Sequence, residues 1–135
     1  MLNILNNGGL IYRDLCRVVG PHELRKILET NIIPFSESAE WKPHYLPNSV
    51  IFVFDTRENI LQGVWAAMDK NIDEHGCCAL LRFRWHTNEG DLEADQSATR
   101  WPGSFVSRRS INLSPPDCNR VIIRRVFQQN FSVNL

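Results

Sequence analysis

His75-Gly76-Cys77-Cys78 sets an imidazole and two thiols side by side, with Asp73 and Glu74 just before them. This is the densest group of potential metal ligands in the chain. A structural zinc site asks for four well-spaced ligands, and the remaining thiols, Cys16 and Cys118, are remote in sequence. The expectation is therefore reduced thiols beside a surface histidine, with no metal and no cofactor. His22, His44 and His86 have no neighbour in sequence that would make any of them a general base. Glycine-rich phosphate loops, nucleophile elbows and helical zinc-protease signatures are all missing. The residues point to a protein that binds and does not catalyse.

The arginines carry more information. From Arg82 onward the sequence holds eight Arg (82, 84, 100, 108, 109, 120, 124, 125) against five acids, while the residues before Arg82 hold seven bases and ten acids. A guanidinium has the fork geometry for phosphate and stacks on bases, so a C-terminal half that is basic by Arg alone suits a nucleic-acid contact. The alternative is a solvated strand face and an exposed helix edge. Over the whole chain the 15 Lys and Arg cancel the 15 Asp and Glu, which excludes coating of nucleic acid or membrane by bulk charge.

These side chains must be positioned by a fold that 135 residues allow, which is one domain with one core. No run approaches the length of a membrane span, and no basic-then-apolar leader is visible, so the expected protein is soluble and intracellular, in cytoplasm or nucleus. Nothing in the sequence sets the oligomeric state. Met1–Gly8 reads as a loose start, with the domain over residues 9–135.

The strand-length run at Leu10–Arg13 precedes Gly20-Pro21 and an amphipathic helix in which Leu24, Ile27 and Leu28 share a face. A proline-rich loop follows, carrying Phe35, Trp41 and Tyr45. Ser49–Phe54 is continuously apolar, as a strand buried on both faces would be. Turn residues 55–59 then lead into Ile60–Met68, so a central hairpin is predicted. After a polar stretch to Gly76, Ala79–Trp85 alternates, with Leu81, Phe83 and Trp85 inward and Arg82 and Arg84 outward. A strand is expected over Ser104–Leu113. Ser114-Pro115-Pro116-Asp117 has the chemistry of a helix start, predicting a helix to about Gln129 with Cys118, Val121, Ile122 and Val126 inward, although Val121-Ile122-Ile123 also suits a strand. The order of elements is α+β.

Several of these segments resemble a known family. Ser49–Phe54, Thr56-Arg57-Glu58, Gln62-Gly63 and Ala66 resemble the central hairpin of YTH domains, PUA-like modules that read methylated adenosine in RNA. Leu81–Trp85 resembles that family's next strand with its structural Trp. Thr99-Arg100-Trp101 and Ser107-Arg108-Arg109 resemble a later segment whose basic side chains meet the RNA backbone. The chain is also similar to DCD domains, PUA-like relatives, at Asn31-Ile32-Ile33-Pro34, at Gly63-Val64-Trp65-Ala66-Ala67 and at Asn71-Ile72-Asp73. Together the likenesses run from about Gly9 to Gln129.

The resemblance implies a PUA-like, curved or barrel-like sheet with two or more packed helices, binding single-stranded RNA. Arg57, Arg100, Arg108 and Arg109 would hold phosphates, with Arg82 and Arg84 as weaker candidates, and Phe35, Trp41, Tyr45 or Trp101 would stack on a base. The methyladenosine cage is incomplete, since its first position falls at Ile33, with Phe35 the aromatic nearby, and residues 70–77 have no aromatic. Trp65 and Trp85 are expected in the core. The DCD likeness implies a different partner, a protein docked on the Pro34–Pro47 loop with Trp41 and Tyr45 as anchors.

Overall fold

The computed structural model describes residues 10–34, 51–94, 103–107 and 109–128. Phe35, Trp41, Tyr45, Arg100, Trp101, Arg108 and the Met1–Gly8 segment lie outside these. Along the chain run β1 (Leu10–Val19), α1 (Pro21–Thr30), β2 (Ile32–Ile33), β3 (Ile51–Asp55), α2 (Leu61–His75), β4 (Cys77–Asn88), β5 (Leu92–Ala94), β6 (Ser104–Ser107), β7 (Ile111–Asn112) and β8 (Cys118–Phe127). The class is α+β, as expected. Six strands form one antiparallel sheet in the order β5-β6-β3-β1-β4-β8, and β2 pairs with β7 in a separate ribbon. Among the described residues the sheet does not close into a barrel.

Strand alternation decides what each face meets. Leu15 and Val19 of β1 point to the side that packs on α1 and the β2-β7 ribbon, together with Leu81, Phe83 and Trp85 of β4. Cys16 and Val18 point the other way, joining Cys78, Leu80 and Val126 beneath Val64, Met68 and Ile72 of α2. The sheet is thus sandwiched between the two helices. Arg17 is buried on the α1 side, where it grips Glu23 of α1 through two hydrogen bonds of 2.7 Å and donates a third to the Phe52 carbonyl. A buried guanidinium needs such full pairing.

The second strand of the predicted hairpin is a helix. Val64, Met68 and Ile72 recur every four residues and are all buried, so the segment closes a core at helical spacing that a strand would have broken. The polar stretch after Met68 is the second half of the same helix, carrying a Lys70–Glu74 ion pair of 2.9 Å and ending where Gly76 takes φ 78°. This rotation turns Trp65 outward, to 41% exposure, against its expected place in the core. Leu28 is also exposed, since Leu24 and Ile27 suffice to seat α1.

The helix predicted from Pro115 is instead β8. Its β-branched Val121-Ile122-Ile123 run favours extended backbone, and pairing with β4 from Cys77↔Phe127 to Trp85↔Cys118, interrupted between Arg82 and Arg84, satisfies most of the inner edge. Cys118 and Val126 are buried as expected, whereas Val121 and Ile122 are exposed. The single strand expected over Ser104–Leu113 is divided, β6 joining the large sheet and β7 the ribbon. Trp85, Leu81 and Phe83 are inward and Arg82 outward, as the alternation of β4 required.

Candidate nucleic-acid interface

Helix α2 covers one half of its face of the sheet and leaves the other half open. Moving along β1 and β4 away from the helix, the residues on this face become Asp14 and Tyr12 on one strand and Arg82, Arg84 and His86 on the other. Tyr12 is 66% exposed. Its ring stands edge-on to His86, its cross-strand neighbour, with centroids 4.5 Å apart and planes at 65°. His86 is fixed in turn, with Nδ1 3.0 Å from the Pro116 carbonyl and its backbone N–H donating to the Asp117 carbonyl. Because a carbonyl only accepts, Nδ1 carries the proton in this contact.

Next along the strands, Arg84 forks onto Asp14, with Nε donating at 2.9 Å and Nη2 at 3.2 Å. That hydrogen bonding holds the Asp14 carboxyl below its ordinary value against the opposing effect of burial, helped by the charges of Arg84, Arg120 and Arg57. β8 supplies Arg120 through a bulge. Arg82 pairs with Ile122 but Arg84 with Asn119, and Arg120 in the extra residue takes φ 54°, a left-handed conformation uncommon for Arg. Arg82 and Arg120 are exposed, and among the described residues their side chains make no hydrogen bond or ion pair. They are the cations of the face that are open to a ligand.

Arg57 sits in the turn after β3, where Nε and Nη2 donate to the Asp55 carboxylate at 3.1 and 2.8 Å while the side chain stays 64% exposed. The structure therefore gathers three sequence candidates, Arg57, Arg82 and Arg84, near one another. Arg109 is elsewhere. Its guanidinium lies over the Trp85 ring, 4.7 Å from the centroid, on the α1 side of the sheet, and bonds Asp91 at 3.0 Å and the Thr87 hydroxyl at 2.7 Å. Sequence reasoning missed Tyr12 and His86. Each is visible as an outward position on an alternating strand, but only the β1–β4 register makes them neighbours.

The cysteines are not gathered. Cys16, Cys77, Cys78 and Cys118 are free thiols, and among the described residues no three His, Cys, Asp or Glu side chains come together to hold a metal. Burial pushes the thiols of Cys16 and Cys78 up to about 11 and that of Cys118 up to about 12. Alkylation of the native protein by iodoacetamide near pH 8 should accordingly reach the half-buried Cys77 first, with the other three reacting only on unfolding, as read by peptide mass spectrometry. Fast labelling of Cys16 would contradict the packing under α2.

Compared with protein-family models, curated proteins and solved structures, the chain finds no significant match.

Proposed function

We infer that this chain binds single-stranded RNA without acting on it chemically, as a PUA-like module of YTH type, and that the open half of the α2 face is its contact surface. The observation that carries the reading is the exposed Tyr12 ring, braced by His86, with the unpaired guanidiniums of Arg82 and Arg120 on the same face. A base stacked on Tyr12 would leave its flanking phosphates for these two arginines, with the outer side of Arg57 at the turn. Arg84 is committed to Asp14 and serves to orient the face. Because the second half of the YTH-like hairpin is helical here, support comes from this face and not from that hairpin. The aromatic residues that would rebuild a methyladenosine cage, Phe35, Trp41, Tyr45 and Trp101, lie outside the described residues, as does nearly all of the Pro34–Pro47 loop on which a protein-binding reading depends.

Fluorescence anisotropy of a labelled degenerate RNA strand, titrated at low and near-physiological salt, tests the assignment. Tyr12→Ala should weaken binding about tenfold to a hundredfold, the equivalent of roughly 1–3 kcal/mol per stacked base. Arg82→Ala and Arg120→Ala should each weaken all sequences alike and lower the slope of log affinity against log salt by about 0.7. Wild-type affinity in all three variants would remove this face from the reading, and absence of any RNA binding at low salt would end it.

A further inference from the structure

Arg84 commits only one edge of its guanidinium. Nε and Nη2 fork onto Asp14, while the outer edge, made of Nη1 and the second N–H of Nη2, makes no hydrogen bond among the described residues. The buried nitrogens that lack a partner are those of Arg13 and Trp85, so the free edge of Arg84 reaches solvent. Asp14 thus aims a second fork outward, an anchor that Arg82 and Arg120 do not have.

Register sets where that fork stands. Asp14 lies directly across from Arg84, and Tyr12 directly across from His86, so Arg84 is the diagonal neighbour of Tyr12. Such diagonals separate residues by about 7–8 Å, a span that a base stacked on the ring can bridge with one edge.

Charge and hydrogen-bond pattern select what the fork meets. The Asp14 carboxylate neutralises Arg84 and would repel a phosphate brought to the same place, whereas Arg82 and Arg120 carry no such counter-charge. The ligand of the free edge is therefore a neutral group with two adjacent acceptors. Guanine presents O6 and N7 in that arrangement, while adenine sets an amino donor beside N7 and uracil places an N–H between its two carbonyls. Cytosine has O2 and N3 side by side but gives Tyr12 a smaller ring to stack on.

We propose that the Asp14–Arg84 pair makes this face selective for guanine, with the base stacked on Tyr12 and its O6 and N7 accepting from the outer edge of Arg84. The proposal rests on the RNA reading above and adds to it the base that is read. Arg84 is then the specificity-determining residue, and Asp14 the residue that positions it.

The probes are labelled oligouridine strands carrying one central G, A, C or U, titrated by fluorescence anisotropy. The G strand should bind about tenfold more tightly than the others, the scale of one bidentate pair. Replacing that G by 7-deazaguanine, which lacks only the N7 acceptor, should remove most of the gain without any change to the protein. Arg84→Lys and Asp14→Asn should each bring the G strand down to the level of the A strand, and Arg84→Lys should keep the salt slope of the wild type. Equal binding of the four strands, tightest binding of the C strand, full affinity for 7-deazaguanine, or a G preference that survives Arg84→Lys would overturn guanine selection while leaving RNA binding in place. Absence of binding to every strand at low salt would overturn both.

Discussion

Asp55→Ala should lower the unfolding free energy by about 3–5 kcal/mol, because it removes a buried carboxylate and leaves the largely buried Arg13 guanidinium without its partner. Asp55 is only 2% exposed and accepts hydrogen bonds from Arg13 Nη1 at 3.0 Å, from the Arg57 side chain and from the Arg57 backbone N–H. Arg13 lies against the Phe105 ring and its Nε is already buried without a partner, so no other acceptor is at hand. The carboxylate also closes the turn that ends β3. Denaturant melts of the wild type and of Asp55→Ala measure the difference, and a loss below about 1 kcal/mol, the range of a surface pair, would show that the network is solvated.

A pH dependence follows with a definite sign. Burial by itself raises the Asp55 carboxyl, but the hydrogen bonds and charge of Arg57, with the bond from Arg13, outweigh it and leave the group below its ordinary value. The unfolded chain therefore binds more protons in the window between the two values, and stability rises with pH there. The contribution is fully present above the unfolded value of about 4 and is lost as pH falls through the lower folded value. Asp14, held down by Arg84, adds in the same direction. Acid melts of Asp55→Ala should show a shallower fall below about pH 4 than those of the wild type.

The second large effect belongs to Trp85. It is fully buried in the core between the sheet and α1, among Leu15, Leu81 and Phe83, and it also supports the Arg109 guanidinium. Trp85→Ala should cost about 3–5 kcal/mol through the cavity it leaves. Trp85→Phe should cost much less, roughly 1–2 kcal/mol, since its indole Nε1 has no hydrogen-bond partner to lose and a ring remains beneath Arg109. Equal losses for the two substitutions would mean that the indole N–H is satisfied after all. Trp85 faces away from Tyr12, so neither change should disturb the proposed contact face.

The alternation of β4 was legible without coordinates, because a period of two places Leu81, Phe83 and Trp85 inward and Arg82 outward whatever the strand pairs with. The strand at β3 and its turn were legible for a similar local reason: a β-branched and aromatic run stopped by Asp55-Thr56-Arg57. So was α1, whose Gly20-Pro21 start and apolar spacing depend on nearby residues alone. The segment after Ile60 was not, since Leu61–Met68 mixes apolar residues at spacings that suit either periodicity. Only the complete core, in which Cys16, Phe54 and Leu80 demand a row of Val64, Met68 and Ile72, selects the helix. β8 was decided in the same way. Its cap-like start argued for a helix, and pairing along the open edge of β4 prevailed.

The candidate face follows that division. Sequence alone determined that the arginines gather in the C-terminal half and that Arg82 points outward, because composition and strand period are local properties. It could not say that Tyr12 meets His86, that Asp14 engages Arg84, or that a bulge brings Arg120 to the same face while Arg109 is turned to the other. Those are facts of register between segments far apart in sequence, and a shift of one residue would send every one of these side chains to the opposite face.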